Sequence, residues 1–217
     1  MANVQAQFGF QHIGYLSGSG VDYQQSTRAI LKTNASAIGF GDPVIRQNAT
    51  SAYIVQATGS LATAAPIEGI FVGCVYTPTS GLQIPQWSPS WPGNTVAADA
   101  TGYVVDAPNA IFLAATLQTA AGTGDIGKVV NFTTGTPSTV GQQYSVATID
   151  MSTATSAGGT AISPLPFKIV GIPGSGVGIG ALANQFGRVG NGSDLTTNYN
   201  WVIVGFNNQI NKALVGW

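Results

Sequence analysis

Charge is what this sequence has least of. Only 7% of its 217 residues are Asp, Glu, Lys or Arg, where an ordinary soluble domain carries roughly 25%. Seven basic residues face eight acidic ones, for a net charge of −1. No run of Lys and Arg offers a patch that could track phosphates, so nucleic acid is not an expected partner. One His and one Cys cannot make a His/Cys metal site. The lone Cys74 can form no intrachain disulfide, and its apolar neighbours predict a small core residue. Long apolar runs are missing too, since nothing approaches the ~20 residues of a membrane span. The first residues lack the basic start and apolar core of a signal peptide, so none is expected. Segments of helical period are scarce, and only residues 181–188 have room for a turn or two of helix.

Low charge does not mean disorder here. Disorder goes with low hydrophobicity and high charge, and 44% of this chain is hydrophobic. Thr, Ser, Asn and Gln supply the polarity, and 29 glycines and 11 prolines punctuate the chain. So little charge also gives weak protection against self-association. That leaves two readings, a surface meant to be covered or simply one rich in Thr and Asn.

The organising stretch is residues 66–78, Pro-Ile-Glu-Gly-Ile-Phe-Val-Gly-Cys-Val-Tyr-Thr-Pro. A short apolar run bounded by prolines reads as a buried strand. Gly69 and Gly73 inside it predict a bulge or a close backbone approach. Further strands are expected at residues 26–31, 44–46, 53–57, 103–106, 110–116, 128–132, 143–150, 167–172 and 198–208. Turn signals separate them, which is the signature of an all-β sandwich or barrel-like domain. Its core is expected to hold Ile70, Phe71, Val72, Val75, Ile111, Phe112, Leu113, Ile169, Val202 and Val204. Residues 1–35, polar and glycine-rich, predict an extended N-terminal arm that becomes ordered only against a partner. Residues 36–217 form the β-rich domain. A Ser/Thr/Ala/Gly stretch at 152–160 reads as an exposed hairpin tip, and 174–180 as a glycine-rich loop.

Catalytic constellations find little to work with. A Ser-His-Asp triad would need His12, which sits in the arm with no nucleophile elbow around any Ser. Glu68, the sole Glu, and Asp99 and Asp106 could in principle pair as in a glycosidase, but read more simply as turn and edge residues. The glycines at 174, 176, 178 and 180 alternate, which is the wrong spacing for a phosphate cradle, and no Lys follows. No enzymatic activity, cofactor or metal is expected. The most informative local feature is Ile84-Pro85-Gln86-Trp87-Ser88-Pro89-Ser90-Trp91-Pro92. Prolines stiffen this loop, so Trp87 and Trp91 are presented at low entropic cost. Three roles stay open for them: a cap on a barrel end, anchors of a protein interface, or a platform for sugar rings.

Read in order, several segments resemble a tailed-phage capsid decoration, or cement, protein family. They are a Gly-Asp-Pro-Val strand entry at residues 41–44, Gly-Ile-Phe-Val-Gly at 69–73 and Pro-Gln-Trp at 85–87. An Asp-Ala-Pro turn then leads into the apolar strand ending at Leu113. The strand at 167–172 follows, and Trp-Val-Ile-Val runs into Phe-Asn-Asn-Gln at 201–209. These pieces span most of the chain from Gly41 to Gln209. The resemblance implies a virion structural protein on the outer capsid surface, assembled in the host cytoplasm, that cements major capsid protein subunits. It also implies self-association, with a trimer common in such proteins. Phe8, Phe10 and Tyr15 of the arm, with Trp87 and Trp91, are the expected interface residues. A head-fibre base or tail structural protein, or a soluble carbohydrate-binding β-sandwich, are the alternatives.

Overall fold

The computed structural model describes residues 7–18, 20, 25–48, 50–58, 65–93, 96–137, 144–156, 164–173 and 194–212. Among them twelve strands follow one another. The first six are β1 (Gln11–Tyr15), β2 (Ser26–Ile30), β3 (Pro43–Arg46), β4 (Ile54–Gln56), β5 (Gly69–Tyr76) and β6 (Gln86–Ser88). The others are β7 (Ala100–Val105), β8 (Ala110–Leu117), β9 (Val129–Thr133), β10 (Thr148–Thr155), β11 (Phe167–Gly171) and β12 (Trp201–Phe206). A three-residue 3-10 turn at Thr123–Asp125 is the one helical element among the described residues. The all-β class expected from the sequence is the fold observed.

The strands form two six-stranded sheets. The first runs β1-β8-β10-β9-β11-β12, and β12 pairs back onto β8. Five of its strands therefore close into a ring. One edge of β8 takes β12, while the other takes β1 near its start and β10 at its end. Closure leaves that ring no open edge to aggregate. The second sheet runs β2-β7-β5-β3-β4, with β6 on the far half of β5. A bridge between Ala29 and Tyr53 brings its two ends back together.

Side-chain alternation fills the ring. Phe112 and Ala114 of β8, Phe132 of β9, Ile149 of β10, Ile169 of β11 and Val204 of β12 all turn inward. Phe10 joins them, stacked on Phe167 at 4.5 Å and edge-on to Phe132 at 6.1 Å. Ile111, Leu113 and Ile203 alternate outward, under Phe8, Ile13 and Trp201. The second sheet is apolar on both faces. Val44, Phe71, Cys74 and Val104 turn into its own core with Trp91. Ile45, Ile70 and Val105 turn the other way, into the cluster shared with the ring. Burial on both faces is why the central run reads as continuously apolar.

Eight of the ten expected core residues are buried, namely Ile70, Phe71, Ile111, Phe112, Leu113, Ile169, Val202 and Val204. Val72 and Val75 are half-buried. The pairing register shifts between Phe71 and Gly73, and Val75 then lies opposite Trp87 on an edge strand. Both glycines take the roles expected of them. A Cβ on Gly69 would stand 2.6 Å from the Val105 carbonyl oxygen. Gly73 sits at the bulge with φ 140°. Cys74 is buried, and burial pushes its thiol up to about 12.

Two expectations need correcting. The N-terminal stretch is extended, but its described residues do not stand apart as an arm. β1 pairs with β8 and β2 with β7, so a boundary at residue 35 would cut both sheets. Composition misled because a strand is held by backbone hydrogen bonds, which polar and glycine-rich residues also make. The tip expected at 152–160 starts later, since β10 continues to Thr155. Thr153 and Thr155 are β-branched and suit a strand despite their polarity. The rest of that tip, the loop at 174–180 and the turn at 181–188 lie outside the described residues.

Candidate interaction surface

The connection from β5 to β6 is built by short-range bonds. Gly81 at φ 76° and Gln83 at φ 48° turn the chain. Gln83 Nε2 donates to the Thr79 carbonyl at 2.9 Å, and Gln86 Nε2 to the Tyr76 hydroxyl at 3.1 Å. β6 then pairs with β5, placing Trp87 opposite Val75. The result is an apolar outcrop. Leu82 is 86% exposed, Ile84 58% and Trp87 62%. Large aliphatic and aromatic side chains gathered in the open are informative where single exposed ones are not.

Trp91, four residues further on, goes the opposite way. It is fully buried in the second sheet's core. Its backbone exchanges two hydrogen bonds with Ile38, and its Nε1 donates to the Asn34 carbonyl at 3.1 Å. Tyr76 meets its ring edge-on at 6.1 Å. Of the loop's three open roles, Trp91 takes the packing one, while Trp87 stays available to a partner. Leu82 and Ile84 were not among the interface residues expected from the sequence. Their signal was an apolar pair directly after Gly81, in a turn where polar residues are the rule.

The remaining interface candidates divide the same way. Phe10 and Tyr15 are 1% and 5% exposed and belong to the core. Side chains so deeply packed have no face to offer a partner, which corrects their expected role. Phe8 is half-buried, edge-on to Trp201 at 5.6 Å on the outer side of the ring. The one His is also engaged. His12 lies against Tyr15 and Phe112, with Nε2 3.0 Å from the Gly14 carbonyl oxygen.

The carboxylates singled out from the sequence do come together in part. Glu68 is fully buried, and the Arg28 Nε donates to its Oε2 at 3.0 Å. Arg46 Nε donates to its Oε1. Arg28 reaches on to Asp106 Oδ2 at 2.8 Å, and Ser26 donates to Asp106 Oδ1 at 2.8 Å. Gln209 Nε2 donates to the carbonyls of both Glu68 and Asp106. Glu68 and Asp106 thus share a guanidinium and lock β2, β3, β5 and the end of β7 together. Asp99 stands apart, accepting from the Tyr53 hydroxyl and the Lys32 backbone.

Asp42 is the other buried carboxylate among the described residues. It accepts from the Gly39 N–H at 2.7 Å and from Gln56 Nε2 at 2.8 Å. Burial outweighs these bonds and raises it to about 6. It belongs to the Gly-Asp-Pro turn, where the Phe71 N–H donates to the Asp42 backbone carbonyl.

Compared with models of protein families, with curated proteins and with solved structures, the chain gives no match.

Proposed function

We propose that this chain is a virion structural protein of a tailed phage, a decoration protein that binds the outer capsid surface and cements major capsid protein subunits. One observation carries the reading: an uncharged apolar outcrop of Leu82, Ile84 and Trp87, whose three side chains are the most exposed large hydrophobics among the described residues. A protein of this kind works by binding rather than by chemistry. Many copies, each gripping a neighbour, stabilise the assembled shell by mass action. The ordered motifs between Gly41 and Gln209, the low charge and the rigid aromatic in a proline-stiffened loop all support it. Self-association on the shell, as a trimer or otherwise, fits the same logic.

The exposed face of Trp87 also favours a second reading, a carbohydrate-binding β-domain that stacks sugar on the indole. Co-sedimentation separates the two. The full chain should pellet with purified heads that lack it, saturate at a fixed copy number per head, and raise the temperature at which the heads disrupt. Free passage through the gradient, together with retention on a glycan array, would replace the capsid reading with the sugar one.

A further inference from the structure

We infer that the outcrop is a preformed knob whose receptor is an uncharged apolar pocket on a capsid subunit, and that Gly73 sets the angle of its tryptophan. This rests on the capsid reading above and specifies the partner's chemistry. No Asp, Glu, Lys or Arg occurs between residues 69 and 98, which contain the whole knob and the strand beneath it. A charged group of the partner set against Leu82, Ile84 and Trp87 would be desolvated with no opposite charge from that stretch to pair it. The complementary site is therefore uncharged. Shape narrows it further. Leu82 and Ile84 are branched, and Leu82 is the most exposed of the three. Branched aliphatic tips fill pockets in proteins, whereas a sugar ring asks for a flat face alone.

Strand addition is blocked beside the knob. Pro85 and Pro89 flank β6 and remove backbone donors from its free edge. Recognition then falls to side chains, and their placement is fixed from below. A Cβ on Gly73 would lie 3.0 Å from Trp87 Cζ2, 3.2 Å from Cε2 and 3.0 Å from the Ser88 carbonyl oxygen. The indole rests on the bare backbone of Gly73, so any side chain there lifts it. Gly73 is a positioning residue, acting through Trp87.

The test uses the full chain and purified heads lacking it, with binding isotherms at about 50 and 500 mM NaCl, where screening differs several-fold in range. Affinity should change by less than about twofold, since charged contacts are what salt weakens. Leu82→Ser combined with Ile84→Ser, and separately Trp87→Ala, should each lose about tenfold or more in affinity at unchanged melting temperature. Gly73→Ala should lose affinity too, but nothing further in a Trp87→Ala background. Wild-type affinity in the Leu82/Ile84 and Trp87 variants overturns the knob and leaves the capsid reading standing. A tenfold fall with salt overturns the uncharged pocket. A Gly73→Ala chain that folds and binds with wild-type affinity overturns the positioning role. Binding of wild type, but not Trp87→Ala, to glycans or to phosphatidylcholine vesicles overturns the protein pocket. No binding to heads at all overturns the capsid reading and this inference together.

Discussion

Trp87 and Trp91 sit on one proline-rich loop, yet one is a surface residue and the other the largest side chain in a core. Residue type and loop composition are the same for both. Pairing is what differs. Trp87 belongs to an edge strand whose outer side meets no further strand among the described residues. Trp91 makes a bridge to Ile38 that folds its ring under the second sheet. In a charge-poor chain, an aromatic in a stiff loop is therefore ambiguous until its backbone partner is known. One such residue builds the molecule, and the next is left for something else to cover.

The comparison breaks most visibly on the packing side. Trp91→Ala and Phe10→Ala should each cost ~3–5 kcal/mol, read as a lower urea midpoint with an unchanged slope. A loss under ~1 kcal/mol for Phe10 would return the N-terminal stretch to the status of a detachable arm. Arg28→Ala should follow, at about 3 kcal/mol, because it leaves buried Glu68 with one guanidinium and Asp106 with none. Arg28→Lys should recover only part of that, as an ammonium cannot span two carboxylates in the same plane.

The third measurement is a pH series. Folding raises the Asp42 carboxyl from 3.8 to about 6, so the folded state holds that proton more tightly than the unfolded chain. Its contribution is fully present below pH ~4 and is lost as pH rises through ~6. The stability of wild type minus that of Asp42→Asn should be greater at pH 4 than at pH 7.5, by about 2–3 kcal/mol. A flat difference across that window would mean that the carboxyl is solvated. The smallest effect sharpens the contrast: Trp87→Ala should change stability by less than ~0.5 kcal/mol. Matching losses at Trp87 and Trp91 would erase the distinction between them.

Much of the fold was legible in the residues. The run at 66–78 announced a buried strand, and the glycines inside it announced a bulge or a close backbone approach. Strands rich in Ile, Val and Phe were found because apolar side chains carry the signal. β1 and β6 were not, since Gln11, His12, Gln86 and Ser88 are polar and are placed by backbone pairing with β8 and β5. Glu68 is the sharpest case at the candidate site. Its sequence neighbours say that it precedes a strand. Its partners Arg28 and Arg46 lie 40 and 22 residues away in the chain, and nothing local points to them. Leu82 and Ile84 were readable as apolar residues in a turn, but their exposure depends on which edge of β5 the chain returns to.

The closure of the first sheet has a consequence for how the chain comes into being. β8 is bordered by β1 from the start of the sequence and by β12 from near its end. A nascent chain can lay β1 against β8 early, but the ring stays open until residues 201–206 have left the ribosome. Non-local pairings of this kind are slow to form. Ribosome-arrested chains that stop short of Trp201 should stay protease-sensitive throughout the ring, while those extending well past Phe206 become protected. Until β12 has emerged, then, the ring carries exposed strand edges that the folded molecule hides. Its low charge does little to keep those edges from meeting other chains.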